Sequence, residues 1–286
     1  MLKAGRTSRE WNETMTNLSG RVALVTGGAQ GIGRGIASSL AEAGVDIAIA
    51  DRIPSNAAAI HDGPQSGPGT SLDETIEHIR SLGRRALAIS ADVTRKDDNR
   101  RMIEHTVREL GNLDILVCNA GVLSVSEVES LSEADWDHTF AVNIKGVFLA
   151  CQAAIPTLKR SEHGCIINIA SVAGKNGYAG LAHYCASKFA VVGFTNALAK
   201  ELAPASVRAN AICPGIVRTQ MWDQLAEAGR RSTESREDAW RRAVAKRVPL
   251  GRPQTPGDIG DCVCYLATAE NITGQAINVD GGMELH

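Results

Sequence analysis

Three residues in the second half of the chain have types that could move a proton together: Ser171, Tyr184 and Lys188. A tyrosine, with an unperturbed pKa of about 10, is a poor base near neutrality unless cations stabilise its phenolate. An i, i+4 spacing puts the Tyr184 phenol and the Lys188 ammonium on one face of a helix. Alone, a Tyr-x-x-x-Lys arises often by chance and marks only a solvated helix face. A second cluster changes that weighting. Thr26-Gly-Gly-Ala-Gln-Gly-Ile-Gly33 follows an apolar run and opens a helical pattern that ends at Gly44. Glycines there allow a tight turn and close approach to a pyrophosphate, whose charge meets backbone N–H groups and the positive end of a helix dipole. Asp51 closes the next apolar run at the separation expected for a ribose contact. A carboxylate there accepts hydrogen bonds from the adenosine 2'-hydroxyl and repels a 2'-phosphate, which favours NAD over NADP. Arg52 is the one neighbour that could pair with a 2'-phosphate, and neutral Gln30 precedes Gly31.

These groups need a scaffold that brings distant segments together, and the hydrophobic pattern supplies one. Short β-branched runs at 21–27, 45–51, 85–92, 113–121, 164–171, 207–215 and 275–282 alternate with longer helical patterns. That alternation is the rhythm of βαβ units, and near-continuously apolar strands fit a parallel sheet covered on both faces. Helix starts are predicted at Ser71 with Glu74, as a capping box, and at Thr255, Pro256 and Asp258. Two segments break the rhythm. Residues 53–71, rich in Pro, Gly and Ser, read as a surface insertion that leaves the sheet beside Asp51 and folds over the adenosine end of the cofactor. Residues 218–252, placed after the sixth strand, predict a substrate lid.

Composition excludes several classes. The 286 residues are 44% hydrophobic and 22% charged, as in ordinary globular proteins, and unlike collagen, disordered tails or disulfide-dense mini-domains. Thirty Lys and Arg against 32 Asp and Glu leave a net charge of -2, which draws in no polyanion, so nucleic acid is a poor partner. Seven cysteines among apolar or small neighbours suggest a reduced compartment. Residues 1–17 carry scattered charges and no signal or membrane-spanning run, so they read as an extension of a cytoplasmic protein with Met15 as a candidate start.

The motifs together resemble the short-chain dehydrogenase/reductase family from about Leu18 to Met283. The match covers Thr26 to Gly33, Asp92-Val93, Asn119-Ala120-Gly121, Asn143, Ser171, Tyr184 with Lys188, Pro214-Gly215 with Thr219, and the ending 274–282. The resemblance implies a single α/β domain over 18–286, a doubly wound Rossmann sheet in the order 3-2-1-4-5-6-7. It implies hydride transfer between NAD and a secondary alcohol or ketone. Gly27, Gln30, Gly31, Ile32, Gly33, Asp51, Arg52, Asp92, Val93, Asn119, Ala120, Gly121, Tyr184, Lys188, Pro214, Gly215, Val217 and Thr219 would hold the cofactor. Asp92 and Val93 would meet the adenine, Asn119 to Gly121 the ribose floor, and Pro214 to Thr219 the nicotinamide side. Ser171 would bind the substrate oxygen, Tyr184 would handle the proton, Lys188 would lower the Tyr184 pKa, and Asn143 would hold a water. The family often has asparagine where this chain has Cys118, which removes one side-chain hydrogen bond. Helices near 132–160 and 182–203 would pair two subunits and the last strand would complete a homotetramer. The stretch 214–222 with 249–252 is similar to sugar-alcohol and acyloin dehydrogenases of the family, so a polyol or acyloin is the substrate hint.

Alternatives remain open. An NADPH-linked 3-oxoacyl carrier-protein reductase shares these residues, with Asp51 against it, and a dinucleotide-binding regulator without turnover leaves the catalytic set as coincidence. His183 neighbours Tyr184 but points about 100° away on a helix, so it reads as packing. Cys262-x-Cys264 diverges on a helix and makes a poor metal clamp, and no zinc or metalloprotease motif occurs, so no metal is expected. The arginines between 230 and 247 alternate with acids and read as a solvated helix face rather than an anionic-substrate clamp.

Overall fold

The computed structural model describes residues 18–52, 71–228, 230 and 233–286, so the expectations for Met15, for residues 1–17 and for nearly all of the 53–71 insertion lie outside the described residues. Each predicted apolar run contains a strand: β1 (Val22–Thr26), β2 (Asp46–Asp51), β3 (Ala86–Ser90), β4 (Ile115–Cys118), β5 (Cys165–Ile169), β6 (Arg208–Pro214) and β7 (Ala276–Val279). They form one sheet in the order β3-β2-β1-β4-β5-β6-β7, parallel at every pairing.

The pleat explains the apolar runs. Val22 and Leu24 of β1 join Ala48 and Ala50 of β2 and Leu116 of β4 in the core on one face. Their neighbours Ala23, Val25, Ile47, Ile49, Ile115 and Val117 join the core on the other. Successive side chains point to opposite faces and both faces are covered, so both positions are mostly apolar, and the buried Asn168 and Asn210 are hydrogen-bonded. Helices α1 (Gly31–Glu42), α2 (Ser71–Ser81) and α9 (Pro256–Thr268) supply the second of these cores. The first is covered by α3 (Lys96–Leu110), α5 (Gly146–Leu158) and α6 (Ala182–Leu202). A short α4 (Glu133–Phe140) enters α5 through a π-helical turn at Ala141–Lys145.

Local signals set the ends. Thr255 and Asp258 form the expected capping box, the Thr255 hydroxyl accepting from the Asp258 amide at 3.1 Å and the carboxylate accepting from the Thr255 amide at 2.7 Å. The box expected at Ser71 and Glu74 is a misreading: Ser71 is itself helical, and Glu74 pairs with Arg34 at 3.2 Å instead. Gly44 ends α1 with φ at +96°, a left-handed conformation that glycine adopts without a Cβ penalty.

The helical stretch Glu133–Leu158 is long and apolar enough to cross a membrane by length and composition, but 56% of its most apolar window is buried within this fold. The 218–252 segment forms α7 (Gln220–Ala228) and α8 (Arg236–Arg247), with an isolated parallel bridge between Val217 and Gln254 drawing its two ends together. Because β1 lies between β2 and β4, the connections leaving β1 and β4 diverge to opposite faces. A crevice opens at the carboxyl ends of the strands, beneath α7 and α8.

Candidate active site

A cavity of about 380 Å³ fills that crevice. Its walls include every residue expected to hold the cofactor except Gly33, together with Ser171, Tyr184 and Lys188. Gly33 lies underneath. A Cβ there would run into the Gly27 carbonyl oxygen and stand 2.6 Å from the Asn119 side-chain nitrogen. Gly27 has φ at +64° and would place a Cβ 2.8 Å from Ala120 Cα. The loop is therefore shaped by backbone packed on backbone.

Hydrogen bonds fix it there. The Thr26 hydroxyl accepts from the amides of Asn119 and Ala120 at 3.1 and 3.2 Å. Asn119 donates through Nδ2 to the carbonyls of Thr26 and Gly27 at 3.0 and 2.8 Å. Thus Asn119 braces the glycine loop against β4, a task its expected place beneath a ribose did not reveal. Asp51 accepts from the Ala29 and Arg52 amides at 3.0 and 2.8 Å, which holds its carboxylate at the end of β2. The first turn of α1 has no acidic residue and its N-cap, Gln30, makes no side-chain cap, so no acid of the helix itself occupies its positive end. This cradle fits a dinucleotide: backbone donors for phosphates and a carboxylate for ribose hydroxyls. Asp92 is held below the usual carboxylate range: burial opposes ionisation, but bonds from Thr94 and the nearby Arg52 and Arg95 outweigh it. Arg52 leans toward Asp92, at 3.9 Å.

Ser171 follows β5 and caps a 3₁₀ turn, its hydroxyl accepting from the Ala173 amide at 3.1 Å. Tyr184 and Lys188 lie in the first turns of α6 and share a face, as their spacing requires, with the ammonium 5.7 Å from the ring centroid. Burial pushes the Tyr184 phenol up to about 12, partly offset by a hydrogen bond with Ser171. Burial pulls the Lys188 ammonium down to about 8. Lys188 donates to the Ile169 carbonyl at 2.9 Å. In the chain alone, desolvation therefore dominates over the expected stabilisation of a phenolate by Lys188, and the phenol is a neutral acid.

Asn143 sits in the π-helical turn and is fully buried. Its Oδ1 accepts from the Val122 amide at 2.8 Å, and its Nδ2 donates to the Val122 carbonyl at 2.9 Å and to Ser187 Oγ at 3.1 Å. The side chain clamps the loop after β4 to α6 and does not line the cavity. His183 packs beside the site as expected, with Nε2 2.9 Å from Ser124 Oγ, Nδ1 unpartnered, and its pKa lowered by burial. Among the described residues no cluster of three metal-ligating side chains occurs, and Cys262 and Cys264 pack against the core.

The rest of the lining is largely apolar and includes Leu123, Leu181, Ile216, Met221, Trp222, Leu225 and Met283, together with Tyr178 and Arg247. The lid was expected to contribute, and Val122, Leu123, Val172 and Ala173 from the loops after β4 and β5 line the cavity too. Leu181 and Met283 carried no signal, being isolated apolar residues whose convergence depends on the fold.

The comparisons agree with this geometry. The family model described as short chain dehydrogenase matches residues 21–229, and the chain belongs to that family. It is an oxidoreductase of a family that binds a nicotinamide dinucleotide. It is 38% identical to the L-2,3-butanediol dehydrogenase of Corynebacterium glutamicum, over 92% of this chain and 98% of the relative. It is 36% identical to the 3-oxoacyl-[acyl-carrier-protein] reductase of Staphylococcus aureus, over 91% and 97%. A solved carveol dehydrogenase from Mycobacterium avium, in complex with NAD, superposes with a TM-score of 0.84 at 30% identity, covering 93% of this chain and 98% of that one.

Proposed function

We propose that the protein is an NAD-dependent dehydrogenase that interconverts a secondary alcohol and a ketone, with a vicinal diol or acyloin as the small-molecule class. One observation carries the reading: Ser171, Tyr184 and Lys188 line the same cavity as the glycine loop and Asp51. A bound nicotinamide supplies or accepts the hydride. The chain's own residues manage the proton. The Ser171 hydroxyl, hydrogen-bonded with Tyr184, orients the substrate oxygen. The Tyr184 phenol, neutral at physiological pH, donates its proton to a carbonyl oxygen as negative charge develops there. In the opposite direction the phenolate must be stabilised, and Lys188 is the near cation. Asn143 positions this set by tying the 122 loop to α6, so its part is support rather than contact.

Asp51 supports NAD, and so does Arg52, whose guanidinium is drawn toward Asp92 rather than left beside the ribose site. The likeness to the butanediol enzyme supports a diol or acyloin, and the largely apolar wall suits a substrate with few further hydroxyls, since buried hydroxyls without partners are costly. The alternative, an NADPH-dependent 3-oxoacyl carrier-protein reductase, is favoured by the 36% identity to that relative and opposed by Asp51. A homotetramer fits the exposure of Phe148 (42%) and Phe189 (47%) on α5 and α6, the helices expected to pair. The 218–252 cap serves as the lid.

Ketone reduction followed with NADH and NADPH across acyloins, simple ketones and 3-oxoacyl thioesters tests the reading. Preferential NADH oxidation with an acyloin or ketone is expected. Preference for NADPH with a thioester would promote the reductase, and NADH binding without any turnover would promote the regulator.

A further inference from the structure

One charged side chain in the cavity wall has no part in the chemistry above. Arg218, Arg230, Arg236, Arg241 and Arg242, all on or beside the cap, each meet a carboxylate within 4 Å: Glu237, Glu227 or Glu234. Arg247, in the last turn of α8, has no such pairing among the described residues. Its guanidinium lies 5.8 Å from the centroid of the Tyr178 ring, and both residues line the cavity.

The nearby acid is already engaged. Glu284 accepts from the Tyr178 hydroxyl at 2.7 Å and from Asn176 Nδ2 at 3.1 and 3.3 Å. Those bonds fix the Tyr178 ring, and no ion pair within 4 Å joins Glu284 to Arg247. Tyr178 also packs against the cluster of Ala173, Tyr184 and Cys185. One aromatic ring therefore lies between the reacting phenol and the guanidinium. A guanidinium stays charged at any working pH and presents a planar fork that matches carboxylate or phosphate oxygens. Arg247 is exposed, so the paired fork rather than a dry setting would carry the recognition.

We propose that Arg247 is a specificity-determining residue that binds an anionic group, a carboxylate or a phosphate, at the end of the substrate remote from the reacting carbon. The proposal rests on the alcohol/ketone reading of the same site. It assigns the substrate a polar-ended form: a carbonyl or carbinol at Ser171 and Tyr184, a body along the apolar wall, and an anion at the mouth.

The test is a series of methyl ketones of increasing length ending in a carboxylate, in a phosphate, or in the neutral amide, assayed with wild type, Arg247→Met and Arg247→Lys. At one chain length the wild type should prefer an anionic ketone over its amide by about tenfold or more in kcat/KM, mostly through KM. Arg247→Met should erase that ratio and Arg247→Lys should restore part of it. Arg241→Met, which removes an exposed partner of Glu237 on the same helix, should leave the ratio as it is. Whichever anion shows the larger ratio identifies the group. A ratio near one in wild type, or one that survives Arg247→Met, overturns the proposal while ketone turnover leaves the oxidoreductase reading intact. If no ketone is turned over, that reading fails, and the proposal is decided by binding. The thermal shift caused by the anionic ketones in Tyr184→Phe should then vanish in Tyr184→Phe/Arg247→Met, and an equal shift in both would overturn it.

Discussion

The two halves of the cavity are built from different materials. The cofactor half is a backbone surface: the glycine loop packs on Ala120, is tied down by Asn119 and Thr26, and is bounded by an Asp51 carboxylate held by two amides. The substrate half is a side-chain surface carried by α7, α8 and the last residues. It rests on a small cluster of Ile216, Trp240, Val244 and Val248, with Trp222 set edge-on to Trp240 at 5.4 Å. Ion pairs such as Arg218–Glu237 and Arg241–Glu237 on the cap are exposed and contribute about 0–1 kcal/mol each, whereas Arg242–Glu234 is partly buried. Recognition by backbone tolerates almost no change in residue type. Recognition by apolar side chains tolerates exchange of one shape for another, and there one fold can take different substrates.

The sharpest break between the halves lies where they meet. Tyr184→Phe should lower turnover by about 10²- to 10⁴-fold, the usual contribution of a positioned proton donor, with NADH binding changed only a few fold. Fluorescence titration of NADH beside a turnover assay checks both parts. Retained turnover would separate the chemistry from this cavity altogether. Next in size, Gly33→Ala should weaken NADH binding by tens-fold or more. The added methyl meets the Gly27 carbonyl and the Asn119 amide, neither of which can yield without opening the loop, and such overpacking costs about 1–3 kcal/mol. Isothermal titration reads the loss, and unchanged affinity would mean that the loop is not the rigid cradle described here.

This difference also explains what could be read from the sequence. The sheet was legible because both faces of its central strands are buried, so these strands appear as mostly apolar runs such as Val22–Thr26. Glycine spacing and Asp51 were legible because backbone recognition demands particular residue types at particular separations. The role of Asn143 was less so: its type and position pointed to the site, but only tertiary structure shows its amide spent on Val122 and Ser187. Leu181, Met283 and Arg247 come from three separate segments, and nothing in their local sequence records that they converge. The arginine-rich cap pairs most of its charges as its mixed composition implies, and only tertiary structure shows that the exposed Arg247 also lines the cavity.

Lys188 joins the halves electrostatically and gives a smaller, pH-dependent effect. Its folded pKa of about 8 lies below the ordinary 10.5 because burial disfavours the ammonium. The unfolded chain therefore holds this proton more tightly. The group destabilises the ligand-free protein fully below pH 8, and that penalty is relieved as pH rises from about 8 to 10.5. Lys188→Met should accordingly be more stable than wild type at neutral pH, by on the order of 1–2 kcal/mol, with the gap closing toward pH 10. Urea unfolding across that range measures it. A gap independent of pH would place the lysine penalty in packing rather than in charge.

The smallest effect should fall on the cap. Trp222 is partly buried, lines the cavity and stacks edge-on against Trp240, so Trp222→Leu keeps an apolar wall while enlarging the space beside Met221 and Leu225. A pocket change of this kind alters discrimination only modestly, because an apolar wall excludes by shape alone. KM for short ketones should rise a few fold, KM for bulkier ones should fall, and NADH affinity should not move. Equal changes for short and bulky ketones would show that Trp222 supports the cap without touching substrate, and a change in NADH affinity would show that the two halves are not independent.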